Sequence, residues 1–141
     1  MKFILSVFLF FFLSISFSAD TEISSDTTIT SDTTGRYTFD SDGLSLTISN
    51  NSTLGKPSQT IRSQDSGGNT VNDITVTIEQ GSTVETTGND RPIYINGASG
   101  FTLHNYGNVE SERAVSISIG SGTTGAIINN YSSGKIFAPR N

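Results

Sequence analysis

Apolar and polar residues alternate along the second half of the chain, and the alternation recurs. Three evenly spaced segments each carry two apolar residues two positions apart, followed two positions later by a side-chain amide. They are Val76-Thr-Ile78-Glu-Gln80, Phe101-Thr-Leu103-His-Asn105 and Ala126-Ile-Ile128-Asn-Asn130. An earlier copy, Leu46-Thr-Ile48-Ser-Asn50, precedes the first at a slightly longer spacing. A period of two predicts strands with one buried and one solvated face.

Each segment is followed by another apolar residue and then by glycine-rich turns. That residue is Leu54, Val84, Val109 or Ile136, depending on the copy. A repeat of this length, with short strands and no helical spacing, cannot bury its own apolar face, so neighbouring copies must stack. The sequence therefore predicts an all-β fold. Its architecture is a right-handed single-stranded parallel β-helix, one copy per coil, with coils about 4.8 Å apart.

The constant spacing of the last three copies also predicts which side chains stack. Ile78, Leu103 and Ile128 are expected to lie one above the next inside a single tube, and Tyr106 and Tyr131 to stack as offset rings. Stacked amides both donate and accept hydrogen bonds, so an amide ladder is expected at one corner of the coil. Its predicted members are Asn50, Gln80, Asn105 and Asn130.

Residues 1–18 have the pattern of a secretory signal peptide. Lys2 supplies a basic start, a short apolar run follows, and Ser16 and Ser18 are small residues at the −3 and −1 positions of the cleavage site. The run is shorter than the about 20 apolar residues that cross a bilayer. The sequence therefore predicts cleavage after Ser18 and export through the periplasm to the cell surface or medium. It predicts no membrane span in the mature chain.

Loss of this leader changes the composition. Six of the nine Phe residues belong to it, and removal of Lys2 takes the formal charge from −5 to −6. The remaining cations are scattered singly, which argues against a nucleic-acid partner. The chain has no cysteine, so a disulfide framework and a thiolate zinc site are both excluded. No cofactor is predicted.

The remainder divides into two predicted parts. Residues 19–42 are expected to lead into the coil and cap its open end, with Tyr37 and Phe39 forming the first rung. Residues 43–141 are expected to form the β-helix, incomplete at its C-terminal side. Within it, residues 55–73 are predicted to turn Ile61 inward and then to form a surface loop, where binding usually resides in a solenoid.

Several motifs resemble the passenger region of bacterial autotransporters. They include Thr30-Ser-Asp-Thr-Thr-Gly-Arg-Tyr-Thr-Phe-Asp-Ser-Asp-Gly-Leu-Ser-Leu-Thr-Ile48, Leu103-His-Asn-Tyr-Gly-Asn-Val109 and Ile127-Ile-Asn-Asn-Tyr-Ser-Ser-Gly-Lys-Ile136. The resemblance covers roughly residues 20–141 and implies a right-handed β-helix exported through a signal peptide. It also implies a C-terminal translocator barrel in the full-length protein. Because no membrane strands follow the repeat, the 141 residues are expected to be an N-terminal fragment.

Two glutamates are the strongest candidates for chemistry. Glu85 and Glu110 follow Val84 and Val109 and are expected to stack in register, as the paired carboxylates of a retaining glycosidase do. Phe137 takes the same position in the next copy, and no cleft-forming insertion is evident. A solvated polar face is therefore favoured.

Metal chemistry has weaker support. His104 is the only histidine, its parity turns it towards solvent, and its expected neighbours Glu79 and Asn129 do not complete a zinc or proton-transfer site. Asp40-Ser-Asp42-Gly43 has the start of a calcium loop without its later acidic ligands. No catalytic, cofactor or metal residue is assigned.

These observations favour an exported, non-catalytic β-helical module, a stalk or adhesion element whose partner is an unidentified surface glycan or protein. Two alternatives stay open. One is a β-helical polysaccharide lyase or hydrolase, and the other is a truncated fragment without independent function.

Overall fold

The computed structural model describes residues 20–112 and 115–138, and the predicted signal peptide lies outside these ranges. Within them the chain forms fifteen short strands and no helix, so no helix is available there to cross a membrane. The strands follow one another around five coils, each coil contributing one strand to each of three sheets. All neighbouring strands within the sheets are parallel. The predicted all-β parallel β-helix is confirmed.

The sheets are named here in the order in which the chain visits them. Sheet A contains β1 (Thr21–Ile23), β4 (Tyr37–Phe39), β7 (Ile61–Arg62), β10 (Ile93–Ile95) and β13 (Ile117–Ile119). Sheet B contains β2 (Thr27–Ile29), β5 (Ser45–Ile48), β8 (Thr75–Ile78), β11 (Thr102–Asn105) and β14 (Ile127–Asn130). Sheet C contains β3 (Thr33–Thr34), β6 (Thr53–Lys56), β9 (Thr83–Thr86), β12 (Asn108–Ser111) and β15 (Lys135–Phe137).

Inward side chains from the three sheets fill one continuous core. Alternation turns every second residue of a strand inward, and register stacks those residues from coil to coil. Each fully buried Ile, Leu or Phe stabilises the fold by about 1.5–3 kcal/mol relative to exposure. The largest fully buried side chains are Phe39, Phe101, Leu46, Ile48, Leu54, Ile61, Ile74, Ile78, Ile93, Ile95, Leu103 and Val76.

The register of sheet C agrees with the sequence pattern. Leu54, Val84, Val109 and Ile136 form one inward column, and Ile61 also points inward as predicted. In sheet B, Ile48 pairs with Ile78, as the spacing of the first two copies predicts.

The predicted stack of Ile78, Leu103 and Ile128 is wrong at its first step. Leu103 pairs with Val76 below it and Ile128 above it, whereas Ile78 pairs with Asn105. The residues share one tube but occupy two adjacent columns. In sheet B, the number of residues that separates two paired positions is therefore as predicted between the fourth and fifth coils. Between the third and fourth coils it is larger by two.

Turn length explains this shift. The turn from β8 to β9 has four residues, 79–82, whereas the turn from β11 to β12 has two, Tyr106 and Gly107. Strand β11 is therefore paired with β8 two residues later in the chain than the repeat predicts. The turn after β11 is two residues shorter than the turn after β8, so the pairing in sheet C returns to the predicted spacing. The amide ladder is correspondingly shorter than predicted. Asn105 and Asn130 stack, but Asn50 and Gln80 lie exposed in turns.

The first coil also differs from the prediction. Tyr37 and Phe39 belong to β4, and strand β1 pairs with it from below, so they are in the second rung rather than the first. The described part of the predicted capping segment, residues 20–42, thus supplies the three strands of the first coil and starts the second.

Polar side chains at the corners join the first four coils to one another. In each case an oxygen on the earlier coil accepts a hydrogen bond from a backbone amide of the later coil, which satisfies a donor outside the strand ladders. The pairs are Asp26 with Ser45 (2.9 Å), Asp32 with Thr53 (2.7 Å), Asp42 with Asn72 (2.7 Å), Ser63 with Asn96 (2.9 Å) and Asn72 with Ser99 (2.9 Å).

Candidate functional site

The outer face of sheet C carries an open groove of about 550 Å³. The strands β3, β6 and β9 cross it, and their outward positions hold threonines, one glutamate and one glycine. We call this hollow the sheet C groove. Its lining residues are Asp32, Thr33, Thr34, Thr53, Gly55, Lys56, Pro57, Glu85 and Thr87.

Gly55 makes room for Glu85 in this groove. The two residues pair in register between β6 and β9. A Cβ atom at position 55 would lie 3.0 Å from Cγ and 3.1 Å from Oε1 of Glu85. The Glu85 side chain therefore lies against the backbone of the coil below, which leaves it partly buried.

The environment favours the neutral form of this carboxyl. Burial raises the pKa of Glu85, and the negative charges of Glu110 and Asp32 raise it further. These are the causes expected for an acid that is partly removed from water beside like charges. Glu85 is therefore a stronger candidate for a proton donor than an isolated surface glutamate.

Lys56 offsets the negative charge of the groove only in part, because Asp32 and Glu85 outnumber it and its Nζ is turned to Asp20. Its Nζ lies 2.5 Å from Oδ1 of Asp20, and Nη1 of Arg36 lies 3.0 Å from Oδ2 of the same carboxylate. The hydrogen bond from Lys56 and the nearby charges of both cations lower the pKa of Asp20. What remains along the groove is an acidic surface with threonine hydroxyls.

Glu85 and Glu110 stack in register, as predicted, with Phe137 next in the column. Both glutamates line a second, smaller hollow of about 240 Å³ beside the groove. Adjacent strands lie about 4.8 Å apart, which approaches the about 5–5.5 Å between the carboxyl groups of retaining glycosidases. The pair thus provides an acid with a raised pKa next to a second carboxylate.

A second cluster consists of exposed aromatic rings on the fourth and fifth coils. The predicted stacking of Tyr106 and Tyr131 is confirmed, with ring centroids 4.0 Å apart and planes 3° from parallel. A hydrogen bond with the Tyr131 side chain raises the pKa of Tyr106. Nδ1 of His104 lies 2.9 Å from the Tyr131 hydroxyl oxygen, so the histidine joins this row.

The register neighbours of His104 are only partly as predicted. Asn129 is correct, but Thr77 occupies the position expected for Glu79, because of the two-residue shift in sheet B. Within residues 20–112 and 115–138, no group of three or more His, Cys, Asp or Glu side chains is placed to hold a metal ion.

The acidic residues of the calcium-like motif have other partners. Asp42 accepts hydrogen bonds from the backbone amide and side chain of Asn72, and Asp40 accepts one from Ser41. Asp42 thus links the second coil to the third.

The surface loop after β7 is present, as predicted, and binds back to the first coil. The backbone amide and hydroxyl of Ser66 donate to Glu22 at 2.7 Å and 3.0 Å. Asp65 accepts hydrogen bonds from the side chain and backbone of Asn69, which lower its pKa. These polar groups therefore hold the loop closed against the coil.

The sequence pattern did not single out Asp32, Gly55 or Lys56. A signal for Gly55 exists, because it is the glycine in an outward column that otherwise holds Thr34, Glu85, Glu110 and Phe137. A missing side chain between polar neighbours marks a depression, but only after the register is known.

Comparison of the chain with protein-family models, curated proteins and solved structures gives no match.

Proposed function

We propose that this chain is an exported, non-catalytic β-helical module, similar to an autotransporter passenger, that acts outside the cell as a stalk with an adhesive face. The observation that carries the proposal is the core shared by five stacked coils. Such a core makes a rigid rod, since every coil is fixed by the coils on either side of it.

The adhesive face in this proposal is the sheet C groove. It is open, and its threonine hydroxyls and carboxylates offer hydrogen bonds across three successive coils. Because Asp32 and Glu85 outnumber Lys56 in its lining, the groove disfavours an anionic ligand. A neutral glycan fits this chemistry, since its hydroxyl groups donate to carboxylates and threonines.

A second candidate, a polysaccharide hydrolase on the same scaffold, is favoured by one observation. Glu85 has a raised pKa and stacks beside Glu110. In a hydrolase, Glu85 would be the general acid and Glu110 the second carboxylate.

One experiment separates the two candidates. The wild-type chain, the double variant Glu85→Gln/Glu110→Gln and the control Glu79→Gln are compared on a panel of neutral and acidic polysaccharides. Glu79 is an exposed glutamate outside the groove. Binding is measured by biolayer interferometry, and cleavage by the release of reducing ends.

The stalk proposal expects binding to a neutral glycan that Glu79→Gln retains and the double variant weakens about tenfold, without release of reducing ends. Release that disappears in the double variant would establish the hydrolase instead. If no glycan binds, the adhesive face is wrong.

Export and independent folding need a separate measurement. The full chain with a C-terminal epitope is expressed in a Gram-negative bacterium. We expect the tag outside the cytoplasm and a mature N-terminus at Ala19, with a cooperative urea transition. An unprocessed cytoplasmic chain would contradict export, and a gradual transition would support the fragment hypothesis.

A further inference from the structure

The surface loop after β7 is a short hairpin that reaches across sheet A. It comprises residues 64–70 and is closed by an antiparallel bridge between Gln64 and Thr70. Ser66 at its tip donates to Glu22 of the first coil through its backbone amide and its hydroxyl. The hairpin therefore crosses the second coil on its way from the third coil to the first.

The outward residue of the second coil lies beneath this hairpin. Tyr37 and Phe39 point into the core, so Thr38 between them faces outward, yet only 3% of Thr38 is exposed. Its Oγ1 is buried and has no hydrogen-bond partner in the part of the chain that the structure describes. A hydroxyl group that is removed from water without a partner destabilises the closed hairpin.

Arg62, at the base of the hairpin, has a charge without an ionic partner in the described part of the chain. Because Tyr37 pairs with Ile61, the residues that follow them, Thr38 and Arg62, are neighbours on the outward side of sheet A. One edge of the Arg62 guanidinium group carries two parallel donors, Nε and Nη2. Nη2 donates to Oε1 of Gln64, whereas Nε is buried and has no partner among the described residues.

The amide of Gln64 fills this edge of the guanidinium group only in part. An amide offers a single neutral oxygen, whereas a carboxylate offers two oxygens and matches both donors of the edge. A carboxylate at this position would also neutralise the charge of Arg62 and accept a hydrogen bond from the Thr38 hydroxyl. Gln64 therefore occupies the position of a ligand that it matches incompletely.

The next coil supplies the neighbours of Arg62 on the side away from Thr38. Tyr94 pairs with Arg62, and Ser118 follows in the same outward column. Tyr94 is partly exposed, and the guanidinium carbon of Arg91 lies 5.7 Å from the centre of its ring. An aromatic ring beside hydroxyl groups suits a sugar, whose C–H face is apolar and whose edge is polar.

We propose that Arg62 binds the carboxylate of an acidic sugar, a uronate, and that Gln64 occupies this site in the free protein. The uronate displaces the Gln64 amide, pairs with Nε and Nη2 of Arg62, and places its ring beside Tyr94. The site is on sheet A, so it is separate from the sheet C groove and from the function proposed for that groove. The hairpin lowers the apparent affinity, because its amide competes for the same edge.

The first test removes the two parallel donors. The wild-type chain is titrated with a glucuronate oligosaccharide, and the methyl ester of the same oligosaccharide is the uncharged control. Arg62→Lys retains the charge but not the paired donors, so we expect it to weaken binding about tenfold or more. Lys135→Gln removes one exposed positive charge on sheet C and should change the dissociation constant by less than about twofold.

The second test uses Gln64, where two substitutions should have opposite effects. Gln64→Ala removes the competing amide and should strengthen binding about threefold or more. Gln64→Glu supplies a carboxylate from the hairpin itself, so it should abolish binding and raise the urea midpoint of unfolding. Effects of equal sign and size on binding would overturn the role assigned to Gln64.

Nitrogen–proton NMR correlation spectra report on the site directly. The Nε–H resonance of Arg62 should shift as the glucuronate is added and should not shift with the methyl ester. Circular dichroism verifies that each variant is folded. The proposal is overturned if neither the wild-type chain nor Gln64→Ala binds glucuronate at millimolar concentrations, or if the methyl ester binds equally well. Acetate that binds as tightly as the glucuronate would overturn the assignment to a sugar.

Discussion

The third and fourth coils are neighbours in one tube, yet the turn between sheet B and sheet C differs between them. The third coil turns from sheet B to sheet C through four residues, 79–82, and places Ile78 in the core before the turn. The fourth turns through Tyr106 and Gly107 alone and places a buried amide, Asn105, at the equivalent position.

The difference teaches that strand register in this fold is set by turns as well as by apolar pattern. A two-residue change preserves the parity of every strand, so inward residues stay inward and the core remains continuous. The change is therefore almost invisible in the alternation of apolar and polar residues.

The sharpest test of this comparison is a pair of cross-links on outward positions. Thr77 pairs with His104, whereas Glu79 lies two residues further along β8 and its following turn. Thr77→Cys with His104→Cys should form a disulfide nearly completely under oxidising conditions. Glu79→Cys with His104→Cys should form little, since the strand geometry places their Cα atoms about 8 Å apart, beyond the usual reach of about 7 Å. The opposite yields, measured by mass spectrometry, would restore the register predicted from the sequence.

The short turn should also be much less tolerant of substitution than the long one. A Cβ at Gly107 would collide with the backbone oxygens of Ser82 and Glu79, which cannot rotate away. We expect Gly107→Ala to lower the free energy of unfolding by about 3 kcal/mol or more.

The matched variant for this turn is Gly81→Ala. Gly81 has φ of +86°, and its Cβ would meet the side chain of Asn51, which can move. The expected loss is about 1–2 kcal/mol, from left-handed backbone strain. Equal losses in urea denaturation would show that turn length does not determine this difference.

The buried amide should have a measurable role as well. Nδ2 of Asn105 donates to Oδ1 of Asn130 at 2.7 Å and to the backbone oxygen of Lys135 at 3.2 Å. Because Asn105 is fully buried, Asn105→Ala should cost about 1–3 kcal/mol, from the two lost hydrogen bonds and the cavity left by the side chain. This loss is reduced by the removal of its buried Oδ1, which has no partner in the described part of the chain.

The comparison on the same column is Asn130→Ala, an exposed position whose loss removes the shared hydrogen bond but leaves Nδ2 of Asn105 bonded to the Lys135 carbonyl. We expect a loss below about 1 kcal/mol. A thermal or urea unfolding series that ranks the two asparagines in the reverse order would contradict the assigned packing.

The smallest expected effect distinguishes Glu85 of the third coil from Glu110 of the fourth. A raised pKa of Glu85 means that the fold favours its protonated form, so its contribution to stability is present at low pH. That contribution is lost as the pH rises through the folded pKa. At pH 7, Glu85→Gln should stabilise the fold by a few tenths of a kcal/mol, and the difference should vanish below the ordinary value of 4.5.

Glu110→Gln is the control for this effect, and we expect it to stabilise the fold less, because it removes only the repulsion and not the burial of Glu85. Urea midpoints measured from pH 3 to pH 8 provide the check. Destabilisation by Glu85→Gln at pH 7 would contradict the raised pKa.

The sequence predicts the architecture of this protein better than its details. Alternation around Val84 and Val109 was sufficient for the fold class, the sheet C column and the pairing of Glu85 with Glu110. These inferences depend only on which residues of a strand point inward and on apolar residues that occupy equivalent positions in successive copies.

The errors arose where unlike residues occupy equivalent positions. Aligning the copies on their amides placed Gln80 beside Asn105, but the true neighbour of Asn105 is Ile78. The sheet C groove was missed for a related reason, since Gly55 creates space that becomes meaningful only when Glu85 lies directly above it.

The five corner side chains that bind the following coil all act as acceptors, whereas backbone pairs such as the Gly43 amide with the Asn72 carbonyl run the other way. In all five pairs the side-chain acceptor is on the coil nearer the N-terminus, and the backbone amide that donates to it belongs to the following coil. We expect a coil that emerges first from a ribosome or translocation pore to present these side-chain acceptors to the coil behind it. Pulse-labelled hydrogen exchange should accordingly find the amides of Ser45 and Thr53 protected before that of Ser99.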